Sequence, residues 1–123
     1  MDQSGRYTIH RLVAGIDCGR IINPDGVRAQ MEGAVTLALT KAINGAITIR
    51  NGRVTQSNFH NYKLLRFDEM PEVEVLLIPS DEAPTGVGEP GVPPTTPALT
   101  NAIFAVSGVR IRRLPIGQVA REG

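Results

Sequence analysis

The chain has 123 residues, a formal net charge of +1, and ordinary hydrophobic (41%) and charged (20%) shares. That is enough for one modest core, and the near-balanced charge excludes a global pull toward nucleic acid or acidic partners. A single cysteine, Cys18, rules out an intrachain disulfide, and with His10 and His60 fifty positions apart a protein-ligated metal site is short of donors.

In chain order, Met1 to Arg6 is polar and carries no signal-peptide pattern, which reads as a cut through a longer polypeptide. Tyr7 to Asp17 is rich in aliphatic and β-branched residues and predicts a strand, buried at Leu12, Val13 and Ile16, with Gly15 and Gly19 punctuating its end. Asn23-Pro24 supplies a helix cap followed by a first-turn proline. The helix is expected to run to about Ile43 and stop at Asn44-Gly45. Val27, Met31, Ala34, Val35, Ala38, Leu39 and Ala42 share one face of it, as a core helix requires.

Gln30 and Gly33 are neighbours on that helix surface. A glycine inside a helix costs about 1 kcal/mol relative to alanine, so a close approach to the backbone is expected at Gly33. Either another helix packs there, or a ligand lies there with Gln30 hydrogen-bonding it.

Ala46 to Arg50 and Val54 to Ser57 flank Asn51-Gly52, a strong hairpin signal. Asn58 to Arg66 reads as an irregular segment anchored by Phe59, Tyr62 and Leu65. Glu72 to Ile78 predicts a strand whose first half is half-exposed. Thr96-Pro97 repeats the cap-plus-proline signal and predicts a helix to Ser107, closed by Gly108. Arg110 to Leu114 alternates basic and apolar residues and predicts a last strand with a solvated basic face. The order β-α-β-β-β-α-β implies an α+β fold, a mixed sheet with two main helices. Residues 1–123 read as a single domain or a fragment of one, with no apolar run long enough for a transmembrane segment.

Between the Glu72–Ile78 strand and the last helix, Gly86 to Gly91 reads Gly-Val-Gly-Glu-Pro-Gly. Glycines allow a ligand close to the backbone, and Pro90 fixes φ and removes a donor. Pro84, Pro93, Pro94 and Pro97 flank the loop and stiffen it. A stiff loop with one acid, Glu89, at its apex suits proton abstraction; the alternative is a surface turn that the glutamate keeps soluble. The letters also fit a dinucleotide fingerprint, but no buried strand leads directly into them. Pro90 removes an N–H from any phosphate cradle, the later prolines are expected to delay the helix, and arginines stand where the ribose-binding acid belongs.

Set beside Asp17-Cys18-Gly19-Arg20, Asn23-Pro24, Gln30-x-Glu32-Gly33 and Pro97-Ala98-x-x-Asn101-Ala102, the Gly-Val-Gly-Glu-Pro-Gly loop resembles one family closely. The chain looks like the C-terminal segment of the molybdopterin-binding large subunit of the xanthine dehydrogenase and aldehyde oxidase family. The bacterial aldehyde and isoquinoline oxidoreductase type is nearest. The resemblance runs from about Ile9 to Ile116 and implies part of a larger molybdenum-binding domain.

It further implies an oxidoreductase that hydroxylates small aldehydes or N-heterocycles at a molybdenum–pterin centre, expected as molybdopterin cytosine dinucleotide. Molybdenum would be held by the pterin dithiolene, not by side chains of this chain, and this chain alone is expected to bind no cofactor and to be inactive. By residue-by-residue match, Glu89 is the implied general base and Gln30 hydrogen-bonds the pterin. Gly33 lets the cofactor pass, and Gly88 with Gly86 places the base. Asp17, Arg20, Asn23 and Asn101 are read as structural, and Cys18 as a buried thiol. The implied partners are the rest of the large subunit and an iron–sulfur subunit or domain that takes the electrons. A soluble protein of the bacterial cytoplasm or periplasm is expected, the compartment itself being unknown.

Two rivals stand beside this reading. One is a non-catalytic α+β module that keeps the fold and binds a partner through the Gln30 and Gly33 face. A hydrolase ranks lower, because no serine or cysteine sits in a nucleophile elbow with a histidine nearby.

Overall fold

Asn23 opens the main helix: its side-chain Oδ1 accepts from the Gly26 N–H at 3.1 Å, and Pro24 follows in the first turn, where a missing N–H costs nothing. In the computed structural model, which describes residues 7–117, this helix, α1, spans Pro24–Asn44. It ends one residue past the expected position, with the Gly45 N–H donating to the Lys41 carbonyl at 3.0 Å. All seven residues assigned to its inner face are buried, and Leu39 and Val35 are fully so. Burying Leu39 and Val35 stabilises the fold by roughly 1.5–3 kcal/mol each.

Strand β1 (Arg11–Ile16) precedes α1, and β2 (Ile49–Arg50), β3 (Arg53–Val54) and β4 (Glu72–Leu77) follow it. β1 and β4 pair in parallel, Arg11 opposite Glu72 through Ile16 opposite Leu77. Leu12, Ala14 and Ile16 of β1 and Val73, Val75 and Leu77 of β4 face the core, as the period of two in a strand dictates. Val13 therefore points away and is 49% exposed, which corrects the expectation that it is buried. β2 and β3 form an antiparallel hairpin, much shorter than the expected one. Asn51 and Gly52 both take positive φ (50° and 74°) at its turn, the type I′ geometry that matches strand twist. Among the described residues the expected mixed sheet is thus divided into two two-stranded sheets.

Helix α2 covers Val92–Ser107, so it begins more than one turn before the expected Pro97. Pro93 and Pro94 lie in its first turn, where no intrahelical N–H bond is lost, and Pro97 sits inside it. The prolines do not delay this helix; they are part of its start. Gly108 closes it as expected, its N–H donating to the Phe104 carbonyl at 2.8 Å.

Residues 108–117 form no strand, which corrects the expected last strand at Arg110 to Leu114. Val109 and Ile111 still pack on the core, and Arg110 lies over the Phe104 ring, 3.5 Å from its centroid, with Nη1 donating to Asn101 Oδ1 at 3.0 Å. The alternation is real, but the apolar residues meet side chains of the helices instead of a neighbouring strand. Of the expected anchors in the irregular segment, Leu65 packs on the core and Tyr62 is half-buried, whereas Phe59 is 78% exposed.

The core falls into two clusters along α1. One joins Val35, Leu39 and Ala42 to Leu99 and Ile103 of α2 and to Ile116. The other, at the amino-terminal half of α1, joins Val27 and Met31 to Ile16 and Cys18 at the end of β1. Among the described residues no helix is long and apolar enough to cross a membrane.

Candidate functional site

The carboxyl ends of the parallel strands β1 and β4, the amino-terminal half of α1 and the loop running to α2 all meet at the second cluster. Carboxyl ends of parallel strands are where open α/β sheets collect ligands. Past β1, Asp17 Oδ1 accepts from the Gly19 N–H at 3.1 Å and makes a tight turn. That turn grips the loop after β4 through two backbone bonds: the Arg20 N–H donates to the Glu82 carbonyl at 3.0 Å, and the Thr85 N–H to the Cys18 carbonyl at 2.9 Å. Val87 then packs onto the cluster of Ile16, Cys18, Val27 and Met31.

The loop is held again at its far end. A Cβ on Gly91 would come within 2.9 Å of the Ala34 Cβ and 3.3 Å of the Met31 Cε, so the backbone of Gly91 lies directly on α1. Its φ of −73° is open to any residue; glycine is needed there for space. The Val92 N–H donates to the Glu89 carbonyl at 2.9 Å, and Thr95 Oγ1 donates to the Gly91 carbonyl at 2.7 Å, so the loop turns straight into α2. Glu89 therefore stands between two anchored points, with its side chain exposed.

A groove of about 350 Å³ lies beside this frame, lined by Cys18, Arg20, Asn23, Gln30, Thr85 and Val87 among others. It brings Gln30 of α1 together with the first half of the loop. Glu89, Gly88 and Gly33 are exposed and lie outside its lining. At Gly33 a Cβ would meet nothing within 4 Å among the described residues, so packing by α2 is not why the position is bare. The same holds at Gly86 and Gly88, where the loop backbone is open to whatever approaches it. Among the described residues no three His, Cys, Asp or Glu side chains converge; the polar residues lining the groove include Arg20, Asn23, Gln30 and Thr85.

The residues read as structural take such roles. Asp17 holds its turn, Asn23 caps α1, Asn101 accepts from Arg110, and Cys18 is a buried thiol. Arg20 contributes its backbone to the loop grip and is among the residues that line the groove. Sequence reasoning missed Gly19 and Gly91 as contact points. Both are glycines fixed by a neighbour distant in sequence, and no local pattern marks that.

The comparisons agree with this fold. Residues 2–71 match the family model of the molybdopterin cofactor-binding domain, and the chain belongs to that family. It is 38% identical to the membrane-bound aldehyde dehydrogenase [pyrroloquinoline-quinone] of Gluconacetobacter polyoxogenes, over 92% of this chain and 15% of that protein. It is 34% identical to the isoquinoline 1-oxidoreductase subunit beta of Brevundimonas diminuta, over 94% of this chain and 15% of that one. Among solved structures, reconstituted CO dehydrogenase from Oligotropha carboxidovorans superimposes with a TM-score of 0.79 at 26% identity, covering 94% of this chain and 15% of that chain. The chain thus spans about 15% of the length of these relatives.

Proposed function

We propose that this chain is the C-terminal part of the molybdopterin-binding subunit of an oxidoreductase of the xanthine dehydrogenase and aldehyde oxidase type. The parent enzyme hydroxylates a small aldehyde or N-heterocycle, with the cofactor in its cytosine dinucleotide form. The observation that carries the reading is the extent of the likeness: an aldehyde dehydrogenase and an isoquinoline oxidoreductase subunit align over 92% and 94% of the chain, a span that takes in the loop bearing Glu89.

The residues present fit such a cofactor. Gln30 offers an exposed amide at the edge of the groove, and one turn along α1 the bare backbone of Gly33 leaves room for a flat group. In this reading Gln30 holds the pterin edge by hydrogen bonds, and Gly33 lets it lie against the helix. When bound, the cofactor supplies the two-electron redox chemistry, while the protein binds, orients and handles protons. Glu89 takes up, on its carboxylate, the proton released as the substrate is hydroxylated, and Gly86 and Gly88 let the loop backbone come close. A base must sit within about 2.6–3.2 Å of its proton donor, which is why a loop anchored on both sides suits the task. Electrons then leave through an iron–sulfur subunit or domain.

The test is Glu89→Gln in the full-length enzyme, with metal and cofactor analysis of parent and variant. The expected result is molybdenum content near that of the parent and turnover below about one percent of it. Retained turnover refutes Glu89 as the base. A bound quinone with no molybdenum, the kind of cofactor named for the Gluconacetobacter relative, refutes the cofactor.

A further inference from the structure

The carboxylate at residue 89 is only as well placed as the loop that carries it, and one residue far away in sequence controls the approach of that loop. Gly19 is buried and has a φ of +73°. A Cβ built on it would lie 2.3 Å from the Ala83 carbonyl oxygen, 2.7 Å from the Ala83 carbonyl carbon and 2.8 Å from the Glu82 carbonyl oxygen. All three are backbone atoms, so no rotamer change relieves the clash. On either side of this contact stand the hydrogen bonds from the Arg20 N–H to Glu82 and from the Thr85 N–H to Cys18. The turn itself is held by Asp17 Oδ1 on the Gly19 N–H.

We infer that Gly19 and Asp17 are positioning residues for the proton-accepting carboxylate, acting through the backbone of residues 82–85. This rests on the reading of Glu89 as the base. Any side chain at position 19 pushes that stretch outward, because the 2.3 Å contact to the Ala83 carbonyl oxygen must open past 3.0 Å and reaches ordinary contact only at 3.4 Å, a shift of about an ångström. Gly91 stays fixed on α1, so the segment from residue 85 to residue 91, with Val87 packed on the cluster and Glu89 two residues beyond it, must readjust to the shift. A displacement of that size costs on the order of a hundredfold in rate. It acts on the chemical step more than on substrate capture.

The experiment uses the full-length enzyme purified with its cofactor, as parent, Gly19→Ala, Asp17→Ala, Asp17→Asn and Glu89→Gln. Gly19→Ala is expected to lower kcat about a hundredfold, to leave KM within about threefold and molybdenum content unchanged, and to speed amide hydrogen exchange at Arg20 and Thr85. Asp17→Ala is expected to move the same quantities less far, and Asp17→Asn, which keeps the acceptor oxygen, to recover most of that loss. If Glu89→Gln is inactive while Gly19→Ala keeps both amides protected or kcat within threefold of the parent, the inference falls and the base assignment stands. If Glu89→Gln turns over like the parent, the base assignment falls and the inference with it. Should Gly19→Ala fail to fold, equal kcat and equal exchange in parent and Asp17→Ala overturn the inference alone.

Discussion

At Gly33 an added methyl group would meet nothing within 4 Å, whereas at Gly91 it would come within 2.9 Å of the Ala34 Cβ. The two glycines therefore answer the same substitution in opposite ways. Gly33→Ala is expected to raise the stability of the fold by about 0.5–1 kcal/mol, through helix propensity alone. In the full-length enzyme it is expected to lower the molybdenum-to-protein ratio, because the methyl group would occupy the space proposed for the pterin. A thermal melt and metal analysis on the same preparations check both halves, and a more stable variant with full cofactor content would remove Gly33 from the site. Gly91→Ala is expected to cost about 1–3 kcal/mol, because Ala34 is short and backbone-fixed and cannot swing aside. The sequence marks Gly33 as unusual by its place inside a helix. Nothing local marks Gly91, whose reason lies sixty positions away on α1.

Among the elements, α1 was legible because several signals agree: an asparagine cap, a first-turn proline, an apolar period of 3.6 and a terminal Asn-Gly. Two substitutions measure these signals separately. Asn23→Ala is expected to cost about 1 kcal/mol by freeing the Gly26 N–H, and Asn23→Asp to recover it. Leu39→Ala is expected to cost about 2–5 kcal/mol, since the side chain is fully buried between α1 and its neighbours. Urea unfolding of the three variants beside the parent checks the ranking. The start of α2 was not legible because Thr96-Pro97 looks like a helix start, yet Gly91, Val92 and Pro93 form one a turn earlier. Proline marks a first turn and a helix interruption with the same letter. The segment 108–117 misled in another way: alternation reports which residues face inward, and here the inward partners are helices.

Across the whole molecule, contacts between distant parts of the chain are what the sequence expresses least. The candidate residues were named from motifs, but the frame around them (Gly19 on the loop after β4, Val87 in the cluster, Gly91 on α1) exists only once β1, β4 and α1 are in place. Another such contact joins residues 110 positions apart. Tyr7 OH donates to the Gly117 carbonyl at 3.2 Å, and its half-buried ring packs on the cluster around Leu39. Burial holds the Tyr7 phenol above its ordinary value of 10.0, because the interior disfavours phenolate. The folded state then binds this proton more tightly than the unfolded chain does. The stabilisation is complete below pH 10.0, the ordinary value, and is lost as pH rises through the higher folded pKa. Tyr7→Phe removes both the hydrogen bond and the titration. The variant is expected to be less stable than the parent at pH 7, by about 0.5–1.5 kcal/mol for the lost bond. That difference should shrink steadily once the pH exceeds 10.0, because only the parent gains a competing ionised unfolded state. Tyr62 is common to both proteins and cancels in the comparison. Urea unfolding of the pair from pH 7 to 11 gives the answer directly: a stability difference that stays constant across that range would mean that Tyr7 is no more buried in the fold than in the unfolded chain.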